Sequence, residues 1–169
     1  MAEKSQAGDK PAAKATAAGN ADGAQAAQSG TAPGEAAFGQ AVWLMMNMPQ
    51  YRHIFLADLE WMVLPPIMLN QYRLLKVGNR IVAFAAWASL SEAVEQRLQE
   101  PGARLAPADW KSGDRLWLIS VLAPFGHQDA MIADLRATAL AGKTFKLHRR
   151  TPDGKPTVEV LTGAPAGTA

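Results

Sequence analysis

The segment "LWLISVLAPFG", Leu116 to Gly126, is an almost uninterrupted apolar run closed by a proline and a glycine. A strand with one wet face alternates apolar and polar residues; a run without that alternation marks a strand covered on both faces. The chain must therefore supply partner strands and layers of cover. Two other stretches read as hairpins. "QYRLLKVGNRIVAFAAWASL" places β-prone runs on either side of "VGNR", where Gly78-Asn79 is expected to supply the positive-φ residues of a tight turn. "KTFKLHRR" and "PTVEVLT" flank "TPDGK", with a turn-forming Asp-Gly.

The cover is helical. "PGEAAFGQAVWLMMNM" spaces Phe38, Val42, Met45 and Met46 at helical intervals and is expected to end near Asn47, because Pro49 disfavours helical geometry in the residue before it. "HIFLADLEWMVL" reads as a second helix stopped by Pro65-Pro66. "SEAVEQRLQE", capped by Ser91 or Ser89, and "HQDAMIADLRATAL" supply two more. The order ααββαβαββ predicts an α+β domain whose mixed, mostly antiparallel sheet is flanked by helices.

Boundaries follow from composition. Residues 1–33 contain no aromatic residue and, after Met1, no large aliphatic one. Such a segment cannot bury enough apolar surface to offset its ordering entropy, so it reads as a disordered Ala/Gly-rich arm. The domain is expected at 34–163, with a small polar tail at 164–169 that frays. The start of the chain has no basic-then-apolar signal pattern, and no run reaches the roughly 18–20 apolar residues of a membrane span, so the expected location is cytoplasmic. With no cysteine, disulfides, thiol nucleophiles and cysteine metal sites are excluded. No His/Asp/Glu group has metal-ligand spacing, so no metal is predicted. Lysine plus arginine total 17 and acids 15; the arm takes three of each, which leaves 14 against 12. That balance is too mild for a nucleic-acid partner.

Five blocks carry a more specific signal: "AVWLMMNMP", "VLPPIMLNQYRLL", "VAFAAWASLSEAVE", "DWKSGDRLWLI" and "APFG". In that order and spacing the chain resembles the RTX toxin-activating lysine acyltransferases, from about Phe38 to about Val160. The resemblance implies a fold like that of the Gcn5-related N-acetyltransferases, allows a homodimer, and implies a cytoplasmic enzyme. That enzyme would move a fatty acyl group from acyl carrier protein to internal lysines of an RTX-type protoxin or other repeat-containing exported protein. It implies no bound cofactor, the acyl-acyl carrier protein being the donor. Consistent with that donor, no Q/R-x-x-G-x-G/A phosphate cradle follows any predicted strand. Acyl carrier proteins are acidic, so Lys146, Arg149 and Arg150 in "KTFKLHRR" are candidate docking residues, with Arg73, Lys76 and Arg80 a second patch.

Acyl transfer from a thioester to lysine needs a base for the ammonium and donors for the oxyanion. The family places a histidine in a Ser-Pro-x-His-Arg segment and an aspartate in the strand leading to Ala-Pro-Phe-Gly. Laid on this chain, those positions hold Tyr51 and Ser120. His53 then becomes the candidate base, Ser120 a group that orients it, and Tyr51 a donor to the oxyanion. Asn70 and Gln71 match the family's "NQY" block and are candidate substrate-positioning residues. The alternative is a catalytically impaired homologue that binds an acyl carrier or client protein. An imidazole facing the cleft beside Ser120 favours the enzyme, and one facing solvent favours the binding module.

Overall fold

A six-stranded sheet in the order β1-β2-β3-β4-β5-β6 organises the computed structural model, which describes residues 27–30, 34–100, 102–151 and 153–165. The strands are β1 (Ala27–Gly30), β2 (Tyr72–Val77), β3 (Arg80–Leu90), β4 (Arg115–Leu122), β5 (Thr144–Arg150) and β6 (Pro156–Thr162). All neighbours are antiparallel except β4 and β5, which pair in parallel at Trp117↔Lys146 and Leu118↔Leu147. A parallel pair needs a crossover, and helix α5 (Gln128–Ala137) supplies it. The α+β reading, with a mixed and mostly antiparallel sheet, is thus borne out.

Both faces of the sheet are covered. On one lie α1 (Gly34–Met46), α2 (Leu59–Met62), α3 (Leu64–Met68) and α4 (Glu92–Leu98), packed on a core that contains Leu44, Ile67, Phe84, Leu90, Trp110 and Trp117. On the other, α5 packs Met131, Ile132 and Leu135 against Ala83, Ala85, Leu118 and Phe145. Strand β3 feeds both cores: Phe84, Ala86, Ala88 and Leu90 join the first, and Ala83 and Ala85 the second. Its run of alanines lets helices approach closely on either side. No helix among the described residues is long and apolar enough to cross a membrane.

Three expectations change. The second helix does not form as one piece. Its start is a 3₁₀ turn at Leu56–Asp58, α2 follows, and α3 begins at Leu64 and runs through Pro65-Pro66. Prolines are accepted in a first helical turn, where their missing N–H has no intrahelical partner to lose. In the "VGNR" turn only Gly78 has positive φ (60°); the left-handed asparagine is Asn70 (φ 53°), at the entry to β2. And Ala27–Gly30, assigned to the arm, adds an antiparallel strand to β2 in register Ala27↔Val77 to Gly30↔Leu74. Strand addition uses backbone hydrogen bonds, which apolar composition does not report. The remainder of the arm lies outside the described residues, as does most of the tail. Ala164 is described: its N–H donates to the Arg136 carbonyl and its carbonyl accepts from Gly142.

One buried carboxylate ties the first core together. Glu95 of α4 is 4% exposed and accepts from the Trp117 indole (2.6 Å), the Lys146 ammonium (2.9 Å) and Arg115 (2.9 Å). Burial pushes its carboxyl upward, but the hydrogen bonds from Lys146 and Trp117 and the nearby Lys146 charge outweigh that, so the net shift is below its ordinary 4.5. A carboxyl held low in the folded state stabilises fully above the unfolded value and loses that contribution as pH falls through the folded one. Glu95→Ala is expected to cost about 2–4 kcal/mol in urea unfolding at neutral pH, by stranding the indole N–H and Lys146. The gap between native protein and variant should narrow only once pH drops below the ordinary 4.5.

Candidate functional site

The site starts from an irregularity in β4. In the β3–β4 register Ala86 pairs with Ser120 and Trp87 with Leu118, so Ile119 is an extra, bulged residue. A regular strand would send Ile119 and Ser120 to opposite faces. With the bulge, Ile119, Ser120 and Leu122 all line one cavity, while Leu118 and Val121 pack against the α5 side. The parallel register with β5 also stops at Leu118↔Leu147, so β4 leaves β5 where the bulge begins.

The cavity holds about 200 Å³ and is mostly apolar. Phe84 and Trp110, Trp61 and Met62 of α2, and Arg104 and Leu105 are among the residues that line it. Tyr51 also lines it. The chain reaches Tyr51 through extended Met48 (φ −115°, ψ 118°) and a 3₁₀ turn at Pro49–Tyr51, whose Tyr51 N–H donates to the Met48 carbonyl (3.0 Å). Burial pushes the Tyr51 phenol above its ordinary 10.0, so at neutral pH it is a hydrogen-bond donor and no base. A second apolar groove of about 400 Å³ lies beside the first and shares Met45 and Tyr51 with it. Phe55 (78% exposed) and Leu56 (84%) stand on its rim.

Tyr51 and Ser120, far apart in sequence, therefore meet in one cavity. His53 does not join them: it lies in the turn after Tyr51, exposed, and is not among the residues lining either space. Pro49–Tyr51 is a 3₁₀ turn and Arg52 is αR, so the backbone between Tyr51 and His53 is helical rather than extended, and a two-residue offset puts the imidazole on a different side from the phenol. Asn70 and Gln71 lie outside the cavity too. Gln71 is buried, donates to the Ser89 hydroxyl (3.5 Å), and its carbonyl accepts from Trp87 N–H (3.0 Å), beside the bulge. Their visible role is to shape backbone at the start of β2.

The basic patches are partly spent inside the molecule. Lys146 is committed to Glu95, and Arg149 pairs with Glu159 across the β5–β6 hairpin. Arg150 is exposed and donates to the Gly154 carbonyl (3.3 Å). Arg73 pairs with Asp134 of α5, whereas Arg80 lies over the Phe125 ring (4.5 Å) and near Trp43 (5.6 Å). His148 lies tilted against Trp117, the ring centroids 4.9 Å apart, and His127 precedes α5 with a buried, unpartnered Nδ1.

Sequence reasoning missed Glu95, Arg104 and the bulge. Glu95 sits in "SEAVEQRLQE", where it looks like any solvated helix acid, and Arg104 sits in a polar loop. The bulge leaves no compositional trace.

Comparison with known proteins adds kinship. The family described as "HlyC: RTX toxin acyltransferase family" matches residues 32–163. The RTX-I toxin-activating lysine-acyltransferase ApxIC of Actinobacillus pleuropneumoniae is 36% identical over 122 residues, 72% of this chain and 70% of that one. The protein-lysine myristoyltransferase HlyC of Escherichia coli is 38% identical over 98 residues, 58% of each chain. Among solved structures, a histone acetyltransferase HPA2 and related acetyltransferase from Corynebacterium glutamicum aligns at TM-score 0.46 and 11% identity, covering 86% of this chain and 99% of its own.

The Tyr51 hydroxyl makes no hydrogen bond with another described residue, and the ring packs against the first core. Tyr51→Phe is therefore expected to change stability by less than about 0.5 kcal/mol, read as an unchanged urea midpoint, so that any loss of activity in that variant reports chemistry.

Proposed function

The chain belongs to the RTX toxin acyltransferase family, and from that premise we propose that it transfers a fatty acyl group from acyl carrier protein to internal lysines of an RTX-type protoxin. The observation that supports this most is the convergence of Tyr51 and Ser120 in an apolar cavity. An acyl chain needs such a cavity, and a thioester carbonyl needs hydrogen-bond donors at its mouth.

In this reading the chain lies along the apolar walls, and the carbonyl oxygen faces the Tyr51 hydroxyl. The lysine amine attacks the carbonyl carbon, a C–N bond forms, and the C–S bond breaks. The proton shed by the attacking nitrogen passes to the departing sulfur, so the carrier leaves as its thiol and the amide remains on the acceptor. Tyr51 donates to the oxyanion as charge develops there, and Ser120 supplies a second hydroxyl from the bulge. His53 is exposed and lines neither space, so in this reading it takes the proton of the acceptor lysine on the solvent side, before the amine enters the cavity. Arg149, Arg150 and the exposed face of the β5–β6 hairpin contribute positive charge toward the acidic carrier, with Lys146 contributing field while bound to Glu95. Gln71 holds the β2 entry against Trp87, and Asn70, at φ 53°, turns the chain into it, so both act on the substrate only through the backbone. Assembly in the cytoplasm, where carrier and unexported protoxin coexist, belongs to the same proposal.

A second reading draws on the exposure of His53 away from the cavity. In it the chain retains the acyl cavity and binds carrier or client without turnover.

A single-turnover assay with labelled acyl-carrier thioester and an RTX-type protoxin separates the two. Enzyme activity predicts acyl-lysine formation, a loss of about 100-fold in Tyr51→Phe, and a loss of at least about 100-fold in His53→Ala. Carrier binding without any acyl-lysine in the native protein establishes the binding module. Full activity in His53→Ala removes the imidazole from the mechanism and leaves proton loss to water.

A further inference from the structure

We propose that Arg104 is the movable end wall of the acyl cavity and sets which chain lengths it accepts. The inference rests on the reading that this cavity holds the acyl chain.

An engineered apolar cavity of about 150 Å³ takes up benzene. The cavity here, at about 200 Å³, thus accommodates a short alkyl length, and a long fatty chain must run on past its lining. The Tyr51 and Ser120 side is taken by the reacting carbonyl. Val63, Phe84, Leu105, Trp110 and Leu122 are each at most 4% exposed, and moving any of them disrupts a close-packed core. Arg104 differs from all of these. Its side chain is 69% exposed, yet it lines the cavity.

Its attachments are of the kind that open readily. The guanidinium lies 5.0 Å from the Trp61 ring centroid and 3.8 Å from Asp58 Oδ1. Contacts of that geometry between exposed groups are weak and solvent-screened. Release of Arg104 does not strand Asp58, which independently accepts from the Phe55 backbone N–H (3.0 Å) and the Trp61 indole (3.1 Å). Those two bonds, the Phe55 one first, hold its carboxyl below the ordinary 3.8. Asp58 and Trp61 thus form a fixed jamb, and Arg104 the leaf that closes on it. The loop carrying Arg104 turns at Gly102, whose φ of 77° is a backbone shape that favours glycine. Short chains fit with Arg104 in place; long chains displace it and pass out beside Trp61, covered in part by its aliphatic stem.

The test is equilibrium titration of the full-length chain with octanoate, laurate and palmitate, followed by tryptophan fluorescence, since Trp61 and Trp110 both line the cavity. Arg104→Ala is expected to tighten palmitate by about two- to fivefold, the size of one exposed cation–π contact, and to leave octanoate unchanged. Arg104→Lys, which keeps a cation over the ring, should stay close to native. An equal effect on octanoate and palmitate, or none on either, overturns the end wall while leaving the acyl cavity intact. Failure of every fatty acid to bind the native protein overturns the cavity reading itself, and the wall with it. Because Arg104 is exposed, an unchanged urea midpoint is expected for both variants.

Discussion

The β3–β4 pair carries one residue more on β4 than on β3, and the position of that residue, Ile119, decides what the sheet can present. Upstream of it, Trp117 and Leu118 alternate normally and bind β5 in parallel. Downstream, the alternation has slipped by one, which turns Ser120 toward the helices of the first layer. The same step ends the pairing with β5, so a polar side chain, an apolar wall and an unpaired strand edge coincide. An extra residue in a strand costs ladder hydrogen bonds, and it persists here because both flanking faces are packed. Gln71 braces the other side of β3 at Trp87, one strand away.

Charge is handled by a different logic from the apolar site. Glu95 draws three cationic or N–H donors onto one buried carboxylate, which fixes α4 against β4 and β5. The loop after α4 brings Arg104 and Leu105 to the cavity. Two cations elsewhere are paired with acids, Arg73 with Asp134 and Arg149 with Glu159, whereas Arg80 lies over the Phe125 ring and Arg150 donates to the Gly154 carbonyl. The loop "ADWKSGDR" has a plain structural account. Asp109 accepts from Ala106 N–H (2.7 Å) and pairs with Arg97, and the Ser112 hydroxyl accepts from Ser91 N–H (2.9 Å). Gly113 packs so near Leu90 that a Cβ would sit 2.5 Å from its carbonyl oxygen.

Much of this was legible in the residues. An uninterrupted apolar run identified β4 as covered on both sides, Gly78 and Gly154 marked hairpins, and Ser91 capped α4 through Val94 N–H (3.4 Å). The order of elements and five motif blocks pointed to the family. Prolines misled where they were treated only as helix stops, since Pro65-Pro66 open α3. A strand at Ala27–Gly30 was invisible because its pairing uses backbone groups common to every residue.

The sequence by itself determined the layers, because apolar period and turn chemistry are local properties that each segment carries with it. It also brought forward Tyr51 and Ser120, through motif position. Only the tertiary structure decided that these two share a cavity and that His53 stands outside it. A bulge is a mismatch between two strands and a turn's exit direction is set by what it packs on, so neither exists in one segment alone. The same holds for Glu95 and Arg104: a lone charge in a helix or loop acquires a role only from residues that folding brings beside it.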